Sequence, residues 1–223
     1  GGMQLYSAEA AGVTHDKLHP RIAQTAKSLW GIYVFLIALQ VVFLLFGGMD
    51  LFDAVCHSFG TMASGGFSTK NASLAAYSPY IQYVVIVFMF FAGTNFTLFY
   101  FVWKGQFAKI RCNGELSVYV RIIAIATAVI AVSLFFLHGY GAEESFRSAL
   151  FQVTSIITST GFATDDYMQW HPALTFIIFL LLFSGACAGS TSGGIKIMRH
   201  HIMFRNSRLE FRRMIHPMAV VPL

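Results

Sequence analysis

Residues Ser159 to Asp166 read STGFATDD and lie between two long apolar runs. Glycine with Ser, Thr and Asp is the ordinary punctuation of a surface turn, so the stretch decides little until its surroundings are weighed. Those surroundings are apolar: 56% of the 223 residues are hydrophobic, 11% are charged, and the mean hydropathy is +0.63. Too little polar surface remains to cover a soluble body of this size. An all-α membrane protein is expected.

Four runs carry that signal: Leu29 to Phe46, Pro79 to Trp103, Val118 to Leu137, and Pro172 to Phe183. A helix needs about 20 apolar residues to cross the hydrocarbon core. The first three runs are near or above that length, and the second reads as continuous. The fourth stops short and resumes around Ile195. Basic residues gather in the connections that cytoplasmic loops would occupy. Lys17, Arg21 and Lys27 precede the first run; Lys104, Lys109, Arg111 and Arg121 follow the second; Lys196, Arg199, Arg205, Arg208, Arg212 and Arg213 follow the fourth. Only Lys70 and Arg147 fall in the other two connections, which instead carry Asp50, Asp53, Glu143, Glu144, Asp165 and Asp166. Both termini are therefore expected in the cytoplasm and STGFATDD outside. The net charge of +5 is a topology signal, and no aromatic-interleaved basic stripe accompanies it, so a nucleic-acid partner is not expected. The chain starts without an initiator Met, and its opening GGMQLYSAEAAG has neither basic region nor cleavage pattern; a fragment of a longer chain is expected.

The two outside connections repeat one another. DAVCHSFGTMASGGFST, Asp53 to Thr69, lies over SALFQVTSIITSTGFAT, Ser148 to Thr164, without a gap, matching Gly66 to Gly161 and Phe67 to Phe162. Each repeat reads as span, half-helix, glycine loop, span. The half-helices, Asp50 to Met62 and Glu143 to Thr158, are too short to cross and open on acidic residues, which suit the positive end of a helix dipole. Their C-terminal ends would then point into the membrane and favour cations. Irregular backbone at that depth survives only where protein buries it or water lines it. Ser64, Gly65, Gly66, Phe67 and Ser159, Thr160, Gly161, Phe162 accordingly read as filter strands whose backbone oxygens replace an ion's hydration shell, with the aromatic packed outward as a brace.

The short fourth span is broken by GACAGSTSGGIK, Gly185 to Lys196. Gly185, Gly189, Gly193 and Gly194 loosen a helix, and Ser190, Thr191 and Ser192 can satisfy freed backbone. Tight packing through small residues is the alternative reading. Lys196 either places a cation near the cytoplasmic mouth or, the favoured reading, snorkels toward the interface as part of the basic cluster. Asp165 and Asp166 read either as solvated charges or as attractors of cations at a pore mouth, and His57 and Asn95 as groups that satisfy packing hydrogen bonds. Cys56, Cys112 and Cys187 form no metal or disulfide spacing, and no HExxH or dinucleotide-binding fingerprint is present; neither an enzyme nor a bound cofactor is expected.

The strings HSFGTMASGGFST, TSIITSTGFATDDYMQW and GACAGSTSGGIK resemble the Trk/Ktr/HKT superfamily of potassium transporters, and GGMQLY with KLHPRIAQTAKSLWGIY resembles its Trk membrane subunit. That resemblance covers essentially the whole chain and implies tandem membrane-pore-membrane repeats, the second and third of four around one pore. The implied segments are a cytoplasmic linker at 1–27, a repeat at 28–104, a cytoplasmic loop at 105–117, a repeat with a broken last helix at 118–205, and a cytoplasmic segment at 206–223. Also implied are potassium as the transported ion at the filter residues, a gate at 185–196, a multi-pass subunit of the cytoplasmic (inner) membrane surrounded by lipid, a homodimer, and a cytoplasmic nucleotide-binding TrkA-like regulatory subunit. The alternative is a secondary transporter with broken helices and a midplane solute site.

Overall fold

The computed structural model describes residues 22–111 and 113–215. The segment 1–21, with Lys17, Arg21 and the GGMQLY string, lies outside the described residues, as do Cys112 and 216–223.

Helix α1 (Ile22–Phe46) has 25 residues and is apolar almost throughout, about 37 Å of helix, enough to cross a bilayer. It ends at Gly47 and Gly48, the latter at φ +82°. Helix α2 (Leu51–Met62) starts where the Asp50 carboxylate accepts from Phe52 N at 3.1 Å, one of the donors a helix start leaves open. Its 12 residues cannot span. Helix α3 (Pro79–Ala92) opens on a proline in its first turn, where the missing N–H costs nothing, and is followed by α4 (Phe96–Trp103) and the short α5 (Phe107–Arg111).

The second half repeats this order. Helix α6 (Gly114–Ser133) is capped by Asn113, whose side chain accepts from Leu116 N. It runs through a π-helical turn, Leu134–His138, to Gly139 at φ +70°. Helix α7 (Ala142–Ile157) is the counterpart of α2, with Glu143 and Glu144 in its first turn. A 3-10 turn, Tyr167–Gln169, leads to α8 (Pro172–Leu182), and α9 (Ile197–Ile215) follows after a break. The described residues contain helices and one isolated bridge, Ser184 to Ile195, but no strand.

The second span departs from expectation. The run from Pro79 to Trp103 is not continuous, because α3 and α4 meet at 97°. Gly93 closes α3, and the Asn95 side chain accepts from Thr97 N at 2.9 Å and starts α4 afresh. The Thr94 hydroxyl donates to Phe91 O at 2.7 Å and satisfies a carbonyl at the end of α3. Three consecutive residues that favour helix ends thus outweigh a predominantly apolar composition.

Helix α7 lies at the centre. Its Val153 and Ile157 join Tyr119, Ile123 and Ile130 of α6 and Leu174 and Ile178 of α8 in one buried cluster. Its Phe151 joins Leu44 of α1, Ala54 of α2 and Val85 and Met89 of α3 in another. Most of the half-helix is thereby buried, while Phe35, Phe46, Ile125, Phe136 and Phe179 are exposed on the spans, as an apolar solvent allows. At the acidic end the two halves are tied by polar groups. Arg147 of α7 donates to Gln82 Oε1 on α3 and to Glu143 at 2.9 Å. The Tyr83 hydroxyl donates to Glu143 at 3.1 Å, and Gln82 itself donates to the carbonyls of Leu74 and Tyr77.

Candidate functional site

The two glycine loops begin with the same hydrogen bonds. At the end of α2, Ala63 N donates to Phe59 O, Ser64 N to Thr61 O, and both Gly65 N and Gly66 N to Gly60 O, at 2.8 and 3.3 Å. At the end of α7, Thr158 N donates to Thr154 O, Ser159 N to Ile156 O, and both Thr160 N and Gly161 N to Ser155 O, at 2.9 and 3.3 Å. Every pair is its counterpart shifted by the interval between Gly66 and Gly161. The left-handed residues also repeat: Ser64 at φ 53° and Gly66 at 66°, Ser159 at 56° and Gly161 at 83°. A serine at positive φ is uncommon, and finding it twice at matched positions marks a conformation imposed by the surroundings.

The loops touch. A Cβ on Gly66 would run into the backbone carbonyl of Thr160, so only glycine permits this approach. Leu74 N donates to Ala163 O at 3.1 Å, and Ala163 N to Ser73 Oγ at 3.2 Å. The predicted filter residues Ser64 to Phe67 and Ser159 to Phe162 are therefore brought together at one level, at the C-terminal ends of two half-helices.

The braces differ from expectation. Phe162 is buried, its ring centroid 5.8 Å from that of His57 and its edge against Gly60. Phe67 is 83% exposed and does not brace. Phe162 packs on the half-helix of the preceding repeat, and for Phe67 the described residues supply no such half-helix. His57 satisfies packing bonds as expected, with Nδ1 2.7 Å from Asp53 O and Nε2 2.9 Å from Ser68 Oγ. Past the second loop, Asp165 accepts from Trp170 Nε1 at 3.1 Å and from the Tyr140 hydroxyl at 3.3 Å. Asp166 caps the 3-10 turn through Met168 N and Gln169 Nε2. Both aspartates brace the exit of the second loop. Asp53, at the mouth of the first, bonds to Thr69 and Tyr77, which hold its carboxyl below the usual range, and pairs with Lys70 at 3.4 Å.

Beneath both glycine loops lies the 185–196 segment. Its neck is closed by the Ser184–Ile195 bridge and by Gly185 N donating to Ile195 O at 2.8 Å. A Cβ on Gly185 would run into Gly193 O. Gly189 and Gly194 turn the chain at φ 72° and 70°. The hydroxyls satisfy the loop from within: Ser190 Oγ donates to Cys187 O at 2.6 Å, and Ser192 Oγ accepts from Ala186 N at 3.2 Å. Thr191 Oγ1 lies 3.0 Å from Ser64 Oγ, and a Cβ on Gly193 would lie 3.6 Å from Ser159 Oγ. One loop thus reaches the base of both glycine strands. Lys196 does not snorkel. Its ammonium donates to the Ser192 carbonyl, to Ser192 Oγ at 3.0 Å and to Ser190 Oγ at 3.3 Å, because the folded loop offers several acceptors to one cation.

Two participants escaped the sequence. Backbone bonds join the elbow between α3 and α4 to the loop: Cys187 N to Gly93 O at 3.0 Å, Thr191 N to Ala92 O at 3.2 Å, and Phe96 N to Gly189 O at 3.2 Å. Glu115, near the start of α6 and only 8% exposed, accepts from Ala188 N at 2.7 Å. The triad Gly93-Thr94-Asn95 within an apolar run was the available signal for the elbow. For Glu115 it was a lone carboxylate at the head of a span.

A family model described as TrkH, cation transport protein, matches residues 1–223. The potassium uptake protein TrkH of Escherichia coli K12 is 39% identical over 99% of this chain, which spans 46% of that protein. TrkG of the same organism is 37% identical over 99% of this chain and is likewise spanned to 46%. The crystal structure of the potassium transporter TrkH from Vibrio parahaemolyticus superposes with a TM-score of 0.87 at 35% identity, over 98% of this chain and 48% of that one. The chain spans about half the length of the curated relatives it matches. On this agreement of sequence and fold, the chain belongs to the TrkH family of cation transport proteins.

Proposed function

We propose that this chain supplies two membrane-pore-membrane units, 28–104 and 118–205, of a potassium uptake pathway, and that Ser64 to Phe67 and Ser159 to Phe162 line half of its selectivity filter. The observation that carries the reading is the repeated hydrogen-bond register of the two loops, with left-handed Ser64, Gly66, Ser159 and Gly161 at matched positions and the loops in contact. Residues of alternating hand turn successive carbonyl oxygens to one side of a strand, where they can stand in for hydration water. Both half-helices bring the negative ends of their dipoles to the same place. The relatives named for potassium uptake supply the ion.

The 185–196 loop is the gate in this reading. It lies under both strands and is built from glycines and hydroxyls, so displacing it costs little packing. The basic connections face the cytoplasm by charge placement, the complete subunit forms a homodimer in the inner membrane, and a nucleotide-binding regulatory subunit docks on the basic side. Deleting Ala188 to Gly193 in the complete subunit is expected to raise open probability in bilayer recordings with ion preference unchanged. Intact gating in that deletion would remove the loop from this role.

A second reading has one observation in its favour: broken helices at both 93–95 and 183–196, a pairing typical of secondary transporters with midplane sites. Ion-selective current without coupled solute uptake in proteoliposomes separates the two, and coupled uptake would favour the transporter.

A further inference from the structure

The gate reading leaves open what holds the loop shut. We propose, resting on that reading, that the Ala92–Phe96 elbow is the seat on which the 185–196 loop closes and that Glu115 is the positioning residue that clamps it there.

The seat is built from backbone. The bend of 97° between α3 and α4 frees carbonyls and N–H groups that a continuous helix would have used internally, and the loop takes them up. Ala92 O and Gly93 O accept from Thr191 N and Cys187 N, and Phe96 N donates to Gly189 O. The Thr191 hydroxyl adds a second bond to Ala92 O at 3.2 Å. The fit is close: a Cβ on Gly189 would lie 3.1 Å from Asn95 Oδ1. If the loop leaves, each of these groups must find water or stay unpaired in a low-dielectric site. The elbow therefore has a use that an unbroken span could not serve.

The clamp comes from a third element. Glu115 Oε1 holds Ala188 N, and the same carboxylate faces the backbone N–H of Met198 at the start of α9. It thus grips the loop at its tip and again just beyond its end, beside the amino terminus of the helix that continues into the basic segment. Ile197 N donates to Ala186 O at 3.2 Å, so movement of α9 pulls on the loop and on the clamp together. Lys196, in the same segment, supplies a countercharge. One helical turn along α6, Tyr119 lies against Gly93, so the same face of α6 supports loop and seat.

The test uses the complete subunit in planar bilayers, with open probability and the potassium-to-sodium reversal potential as readouts. Glu115→Ala is expected to raise basal open probability about tenfold, the equivalent of about 1.4 kcal/mol. Glu115→Gln keeps an acceptor for Ala188 N and is expected to fall between Glu115→Ala and the unsubstituted protein, while Thr191→Val, which keeps the shape and removes the hydroxyl, is expected to open severalfold. The reversal potential should not move in Glu115→Ala or Glu115→Gln. Unchanged open probability in Glu115→Ala and Thr191→Val, alongside opening by deletion of Ala188 to Gly193, would overturn the clamp and leave the gate. If the deletion also has no effect, the gate reading falls first and the clamp with it. A shifted reversal potential would make Glu115 a support of the filter and overturn the proposal. Should Glu115→Ala fail to accumulate in the membrane, Glu115→Gln and Thr191→Val decide, and no change in either refutes the clamp.

Discussion

The Ser155 hydroxyl donates a 2.6 Å hydrogen bond to the carbonyl oxygen of Phe162. At the matched position of the first repeat stands Gly60, which offers no donor to Phe67 O. The two strands thus share a backbone register but not its fixation: one carbonyl is held by a side chain, and its counterpart is not. Replacing Ser155 by Ala is expected to cost about 1 kcal/mol of local stability and to weaken discrimination between potassium and sodium, with expression near normal. Reversal potentials of the complete subunit under bi-ionic conditions check this.

Gly66 and Gly161 are equivalent in register, and Gly66 stands against the neighbouring strand. Alanine at 66 must displace the Thr160 carbonyl, and alanine at either position suffers the left-handed penalty, about 1–2 kcal/mol. Gly66→Ala is expected to lose folded protein in the membrane. Gly161→Asp is expected to alter potassium selectivity more than membrane yield. Quantified membrane yield against reversal potential separates the two effects.

Gly93 is confined by Tyr119 and Thr158: a Cβ on Gly93 would stand 2.8 Å from the Thr158 methyl and run into the Tyr119 hydroxyl oxygen. Gly93→Ala should lower the thermal midpoint in detergent by an amount typical of overpacking, about 1–3 kcal/mol. Adding Tyr119→Phe removes the hydroxyl nearest the added methyl and should restore part of it, a non-additivity that a double-mutant cycle measures.

Arg147 joins the halves through Gln82 and Glu143. Its hydrogen bond to Glu143 is the main reason that carboxyl lies below its ordinary value of 4.5. A depressed carboxylate pKa contributes stability above the unfolded value and loses it as pH falls through the folded one. Thermal midpoints should therefore decline below about pH 4.5 in the native protein, and Arg147→Ala should lower the midpoint at pH 7 while flattening that decline. An equal slope in both would remove Glu143 from the effect.

Much of this architecture is legible from residue order. The half-helices expected at Asp50 to Met62 and Glu143 to Thr158 form at Leu51–Met62 and Ala142–Ile157, because acidic residues at the start and small residues at the end mark helix boundaries by local chemistry. The break after Phe183 is likewise written in glycines. What stays hidden depends on neighbours. The elbow at Gly93–Asn95 is marked only by three helix-ending residues within a long apolar run, and hydropathy carries no information on direction. Phe67 and Phe162 are the same residue in the same string, and their burial differs through what packs above each. Lys196 turns inward because the loop, once folded, presents acceptors that no spacing reveals.

The central claim, that Ser64 to Phe67 and Ser159 to Phe162 coordinate the transported ion, is tested most directly by anomalous scattering from crystals of the complete subunit grown in thallium or rubidium. Peaks between the carbonyl oxygens of these two strands are expected, vanishing in Gly161→Asp. Peaks confined to the space beside the 185–196 loop, with none between the strands, would contradict the filter assignment.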